Sequence, residues 1–147
     1  MKAISLWQPW ASLWVSGRKI HETRHWSTNH RGPLAVHATK HFEKTVGVHL
    51  EEILIDEFGC HWAMDLPTGA IVGVIDLVDC QRADLIYPNG SKADDYWCGD
   101  FGIGRFGWRG ENFKTLAKPI PYKGAQGMFS VPDELVQAQF GKTESQK

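Results

Sequence analysis

Three charged side chains, Lys19, Glu22 and Arg24, follow closely after a predicted helix end at Gly17. Glu22 and Arg24 are two residues apart on one face of a predicted strand, so they lie within roughly 7 Å along the chain. An amine, a carboxylate and a guanidinium in one cleft can move protons or hold an anion. We predict Lys19 as base, nucleophile or phosphate contact. Glu22 would orient it or act as acid/base, and Arg24 would bind anionic groups or hold Glu22. The other interpretation is a surface lysine beside an ion pair.

Aromatic and polar residues elsewhere in the chain are candidates for ligand binding. Tryptophans that flank polar residues could stack on a base, as they do in readers of single-stranded RNA. A glutamine amide could bind a base edge, and an arginine could bind a phosphate. The predicted substrate-binding residues are Trp7, Gln8, Trp10, His37, Arg105 and Trp108. The alternative is a core position for the tryptophans and turn-stabilising hydrogen bonds for the polar residues.

Two further patterns suggest a metal or a cofactor, but neither has the context that it needs. The histidines at 21, 25, 30, 37 and 41 straddle a strand, a turn and a strand without a recognised ligand spacing. The run Gly102-x-Gly104-x-x-Gly107 fits a dinucleotide fingerprint but follows polar residues and opens no obvious helix. We therefore predict no metal, no cofactor and no dinucleotide ligand.

The composition is that of one neutral globular domain. The 147 residues are 42% hydrophobic and carry a net charge of -1, too little for coating long nucleic acid by electrostatics alone. The three cysteines are odd in number and form no C-x-x-C pair, which predicts a reducing, cytoplasmic setting. No apolar run is long enough for a membrane helix. Basic residues are concentrated before residue 50 and acidic residues between 51 and 100, which indicates a local basic surface or two ordinary solvated faces.

Short apolar runs and turn residues predict the elements that would position these side chains. Strands are predicted at 3–7, 20–26, 34–38, 69–78, 104–116 and 128–131, and helices at 9–16, 42–58 and from 132 onward. Residues 84–104 are predicted as a long surface excursion. This order predicts an α+β fold, a small mixed β-barrel with flanking helices. Residues 1–140 would form a single domain, and 141–147 a flexible tail.

The run Gly17-x-Lys19-x-x-Glu22-x-Arg24 resembles the G-x-K-x-x-E-x-R signature of the ASCH family. It follows the stretch SLWQPWA at 5–11 at the spacing that the family uses. Similar features follow in order at 31–38, 73–74, 101–108, 119–121 and 124–127. The resemblance extends from residue 2 to about residue 135.

Several properties are implied by this resemblance. It implies a PUA-like barrel, a fold widely used for RNA, with the signature lining a cleft. Some small ASCH proteins are amidohydrolases that remove the acyl group from acetylcytidine, and others are ribonucleases. The amidohydrolases use a Lys, a Thr and a Glu; their Lys matches Lys19, whereas their Thr falls on Glu22. The expected partner is RNA or a modified nucleoside, and the expected activity is metal-independent hydrolysis. A module that binds RNA without chemistry is the alternative.

Overall fold

The strands and helices of the chain follow one another in mixed order. The computed structural model describes residues 1–145. Its strands are β1 (Lys2–Gln8), β2 (His21–Arg24), β3 (Gly32–Phe42), β4 (Ala70–Arg82), β5 (Phe106–Pro121) and β6 (Met128–Ser130). Its helices are α1 (Trp10–Ser16), α2 (Val48–Phe58), α3 (Trp62–Asp65), α4 (Asp94–Trp97) and α5 (Asp133–Ser145). No helix in this described part is both long and apolar enough to cross a membrane.

The six strands form one mixed sheet in the order β2-β5-β4-β3-β1-β6. Strand β1 runs parallel to β3, and the other neighbouring strands are antiparallel. The prediction of an α+β fold is confirmed, but the predicted small β-barrel is wrong, because the sheet does not close. Within residues 1–145 no ladder joins the edge strands β2 and β6, which have only four and three residues. Such short edges cannot supply the continuous staggered pairing that closure requires.

Both faces of the sheet are covered by apolar side chains, because neighbouring residues of a strand point to opposite faces. In β1, Ile4 packs in the cluster that contains Trp14 of α1. Its neighbour Ala3 packs in a second cluster with Val136 of α5. A third cluster joins Leu54 of α2 to the remainder of the core. Helices therefore lie on both sides of the sheet.

Helix α1 ends where the sequence predicted. Gly17 has φ of 85°, a left-handed conformation that favours glycine, and its backbone N–H donates to the Trp14 carbonyl over 3.1 Å. The turn directs the chain into β2, and it therefore sets the starting point of the charged segment.

The boundaries of several other elements differ from their predicted positions. Helix α2 begins at Val48 and not at Phe42, because Phe42 belongs to β3 and pairs with Gln8 across the parallel ladder. The predicted excursion at 84–104 contains α4. Helix α5 extends to Ser145, so it enters the predicted tail. Residues 146 and 147 lie outside the described residues, and the division into a domain and a tail stays a prediction.

Candidate functional site

A cleft of about 1240 Å³ lies where the sheet stays open. Most of its lining comes from β1, β2, β3, residues 97–100 at the end of α4 and beyond it, and residues 122–127 between β5 and β6. Pockets that bind small ligands commonly have volumes of about 300–1,000 Å³. The cleft is therefore large enough for a nucleotide and part of its neighbour.

Lys19, Glu22 and Arg24 form one connected set in this cleft. The Nζ atom of Lys19, which is 1% exposed, donates to the Cys98 carbonyl over 2.8 Å and lies 3.1 Å from Glu22 Oε1. The other carboxylate oxygen, Oε2, accepts from Arg24 Nη1 over 2.9 Å. Two cations thus share one carboxylate, and one positive charge remains for a ligand.

Local backbone structure explains why these three side chains meet. The backbone N–H of Lys19 donates to the Leu13 carbonyl over 3.1 Å, which holds the turn after α1. Strand β2 then pairs with β5 and places Glu22 and Arg24 on the same face. The sequence predicted this alternation of side chains, with Glu22 and Arg24 on one face of the strand.

The 84–104 excursion is anchored to β2 by a buried carboxylate of its own. Asp95, 2% exposed, accepts from the backbone N–H groups of Ile20 and His21, from Tyr87 Oη, and contacts His21 Nδ1 over 2.7 Å. Burial alone would raise the pKa of Asp95, but the hydrogen bonds from His21 and Ile20 outweigh it and hold that pKa below its ordinary value. This network fixes α4, and thereby the Cys98 carbonyl that receives Lys19.

The charged residues of the cleft lining are mostly cations. Two carboxylates, Glu22 and Asp100, face five cations. The cations are Lys19, Arg24, Lys40, Arg105 and Lys123. Lys40 and Lys123 are exposed, so their ammonium groups are free to approach a ligand from solvent. The cleft is therefore a positive surface on a chain of net charge -1.

Indole rings line the same cleft. Trp7 is 53% exposed, and its ring centroid lies 3.9 Å from that of His41. Trp97 is 41% exposed and stacks on His49 with centroids 4.1 Å apart. Trp10 and Trp26 are the other tryptophans of the lining. Flat, accessible rings beside positive charge match what the bases and phosphates of a single strand require.

His37 lies between two oxygen atoms at one side of the cleft. Its Nδ1 is 3.0 Å from Ser5 Oγ, and its Nε2 is 2.7 Å from the Tyr122 carbonyl oxygen. The ring is 3% exposed. Both nitrogens are therefore already engaged by groups of the protein.

The ASCH domain model matches residues 4–94, more than half of the chain. This chain belongs to the ASCH domain family. It is similar to Activating signal cointegrator 1 of Homo sapiens and of Mus musculus, with 38% and 37% identity over 82 residues. Each match covers 52% of this chain but only 14% of the relative, so the chain spans a small part of those proteins.

Solved ASCH structures have a similar fold. The crystal structure of ASCH from Zymomonas mobilis has a TM-score of 0.58 and 14% sequence identity, and the match covers 98% of this chain and 93% of the other. A mutant of the same protein gives 0.55 and 15%, with 98% and 96% covered. At such low identity the likeness shows the fold alone.

The ASCH cleft contains most of the predicted site residues, but two of them lie outside its lining. Lys19, Glu22, Arg24, Trp7, Trp10, His37 and Arg105 line it. Gln8 is fully buried: its amide nitrogen donates to Ser12 Oγ and to the Pro67 carbonyl, both over 2.7 Å. Trp108 is also fully buried, and its Nε1 donates to the Trp26 carbonyl. The expectation that these two contact a ligand is corrected by their burial; the roles of the others stay predictions.

Arg105 lies in the cleft, but its guanidinium group already contacts other groups of the protein. One terminal nitrogen, Nη2, donates to the Thr23 carbonyl over 2.9 Å, and its Nε is 3.7 Å from Asp100 Oδ2. The Thr23 hydroxyl oxygen also accepts from the Asp100 backbone N–H over 3.0 Å. These contacts hold residues 98–100 against β2, while the Arg105 side chain as a whole stays 34% exposed.

Several residues that line the cleft were missed by the sequence interpretation. Ser5, Lys40 and Lys123 come from separate parts of the chain, with no local spacing that joins them. The glycine-rich run at 124–127 was noted as a family feature and marks the segment that borders the cleft. The glycines that follow this isolated lysine were the signal in the sequence that could have identified Lys123 as a cleft residue.

Proposed function

We propose that the cleft binds single-stranded RNA, with phosphates at its cations and a base against Trp7. The excess of cations in a tryptophan-lined cleft is the observation that carries this proposal. The chain's membership of the ASCH family supports it, because that family is generally linked to RNA binding. A modified nucleoside would fit against the tryptophans of the cleft. Such an uncharged ligand has no phosphate for Lys40 and Lys123 to bind.

Trp7 offers the clearest test of the aromatic contact. Because its ring is 53% exposed, Trp7→Ala should leave the fold intact. Stacking of one base contributes about 1–3 kcal/mol, so RNA affinity should fall roughly 5- to 150-fold. Fluorescence anisotropy with a short labelled single strand measures this directly.

Met64→Ala is the matched control, since Met64 is 85% exposed and lies outside the cleft lining. It should bind RNA as the wild type does. Equal affinity of the Trp7→Ala and Met64→Ala variants would contradict base stacking in the cleft.

We also propose hydrolysis as a second function, because Lys19 and Glu22 form an ion pair that faces the cleft. A paired amine and carboxylate can exchange protons with a reacting group without a metal. The substrate classes are RNA and acylated cytidine, as the family resemblance implies. The non-catalytic binding module is the alternative.

Metal-free incubation with acetylcytidine, and separately with labelled RNA, distinguishes these alternatives. Product formation by the wild type should be lost in Lys19→Ala and retained in Lys118→Ala, which alters an exposed lysine outside the cleft lining. Removing a general acid or base typically slows a reaction by about 100- to 10,000-fold. RNA binding with no turnover by the wild type would leave only the binding module.

A further inference from the structure

The hydrogen bonds around His37 define its protonation pattern. The Tyr122 carbonyl oxygen can only accept, so His37 Nε2, at 2.7 Å, carries the proton. In the neutral ring Nδ1 is then an acceptor, and the Ser5 hydroxyl at 3.0 Å donates to it. A serine hydroxyl that donates to a histidine, itself oriented by a third group, is the arrangement of an activated nucleophile.

The two side chains are held on rigid backbone. Ser5 and His37 are direct partners in the parallel ladder between β1 and β3. They are 32 residues apart in the chain, so the ladder alone brings them together. Both line the cleft; His37 is buried and Ser5 is half-buried. A pair on neighbouring strands keeps its geometry better than a pair on loops.

Gly124 indicates how closely the neighbouring segment packs on this pair. A Cβ atom at position 124 would lie 2.5 Å from Ser5 Oγ and 2.6 Å from His37 Cε1. Only glycine lets residues 122–127 pack this closely, and it does so beside the hydroxyl and the imidazole together.

A positive charge lies next to Ser5. Arg24 Nη1 is 3.4 Å from the Ser5 carbonyl oxygen, a long hydrogen bond that brings the guanidinium beside this residue. A cation near a nucleophile stabilises the oxyanion that forms when it attacks a carbonyl group. The other nucleophile type in the lining, the Cys98 thiol, has a pKa raised to about 11 by burial, so it stays protonated at neutral pH.

We propose that Ser5 and His37 form an acyl-transfer site, with Ser5 as nucleophile, His37 as general base and Arg24 beside the developing oxyanion. The substrates would be esters or amides of carboxylic acids. This pair lies in the same cleft as Lys19 and Glu22 but is a separate set of reacting groups, and its activity depends neither on RNA binding nor on the Lys19–Glu22 pair.

The proposed reaction needs only Ser5, His37 and water. Ser5 Oγ bonds to the acyl carbon while its proton passes to His37 Nδ1. The bond from that carbon to the leaving oxygen or nitrogen breaks, and the leaving group takes the proton from His37. Water then attacks the acyl-serine with His37 as base, which releases the acid and restores the Ser5 hydroxyl.

A fluorophosphonate probe tests the nucleophile, because its phosphorus forms a stable bond to an activated serine as fluoride leaves. Intact mass spectrometry should show one adduct per chain, and peptide mapping should place it on Ser5. Labelling should be absent in Ser5→Ala and slowed at least about 100-fold in His37→Ala. Ser16→Ala, which changes a serine outside the cleft lining, should be labelled at the wild-type rate.

Mapping the adduct on the wild-type chain requires no variant, so instability of a variant does not affect the test. The reaction is run without RNA and parallel to the RNA titration, so failure of either proposal is seen separately. Absence of an adduct on Ser5 under conditions that fully label a serine esterase would overturn the proposal. A labelling rate unchanged in a folded His37→Ala variant would also overturn it.

Discussion

At the scale of single residues, the candidate site is organised by one carboxylate that two cations share. Glu22 contacts both Lys19 and Arg24, so neither cation is fully neutralised although both are partly or wholly buried. Buried charges are tolerated only when partners replace water, and the Cys98 carbonyl supplies the remaining partner of Lys19. The set is thereby held in place and still presents positive charge to a ligand.

Asp95 fixes the segment that carries the Cys98 carbonyl, and replacing Asp95 should destabilise the fold. Asp95→Asn replaces one acceptor oxygen in a buried network of four donors, which predicts a loss of about 1–3 kcal/mol in the free energy of unfolding at pH 7. The folded-state pKa of Asp95 is below its ordinary value of 3.8. Its charge therefore stabilises fully above pH 3.8, and that stabilisation is lost as pH falls through the folded-state pKa.

Urea denaturation of the wild type and Asp95→Asn at neutral pH and below pH 4 checks both parts. The difference between the two proteins should narrow at the lower pH. Asp84→Asn is the control: Asp84 pairs with the exposed Arg82, so the substitution should cost less than about 1 kcal/mol. A difference that is absent at neutral pH, or constant with pH, would contradict the role of the Asp95 charge.

At the scale of elements, close packing of α1 on the sheet sets the position of the charged segment. Gly73 of β4 makes this contact possible, because a Cβ atom there would lie 2.6 Å from Val15 Cβ and closer still to the Lys114 carbonyl oxygen. Backbone cannot move aside as a flexible side chain does. Position 73 therefore requires glycine because no side chain fits there, and not because of a special φ value.

Gly73→Ala should consequently destabilise the fold by about 1–3 kcal/mol or more, the usual cost of overpacking a core. Gly47→Ala is the matched control: Gly47 has φ of -66°, which alanine adopts, and no atom lies within 4 Å of the added Cβ. Chemical denaturation compares the two. A Gly73→Ala variant as stable as Gly47→Ala would show that α1 does not pack against β4 as described.

Local patterns predicted some elements well and missed others for identifiable reasons. The end of α1 at Gly17 and the alternation through Glu22 and Arg24 depend on neighbours in the chain, and both were predicted. The start of α2 was misplaced because Phe42 pairs with Gln8, a contact between distant segments. The Ser5–His37 pair was missed for the same reason.

At the scale of the whole molecule, the open sheet and the distribution of charge define the proposed function. The same strands that fail to close leave room for the cleft, and the lining carries more cations than carboxylates on a chain of net charge -1. Burial could not be predicted for Gln8 and Trp108 from their types alone, since polar and aromatic residues occur both in cores and in sites. Only the complete fold separates those from Trp7 and Trp10.

The salt dependence of RNA binding is the most direct test of phosphate recognition in the cleft. Each phosphate contact on a single strand contributes a slope of about -0.7 to the plot of log affinity against log salt. Lys40→Ala/Lys123→Ala should therefore have a slope shallower by about 1.4 than the wild type. Lys114→Ala/Lys118→Ala, which changes two exposed lysines outside the cleft lining, should keep the wild-type slope. RNA binding that is insensitive to salt, or a slope that Lys40→Ala/Lys123→Ala leaves unchanged, would contradict phosphate recognition in the cleft.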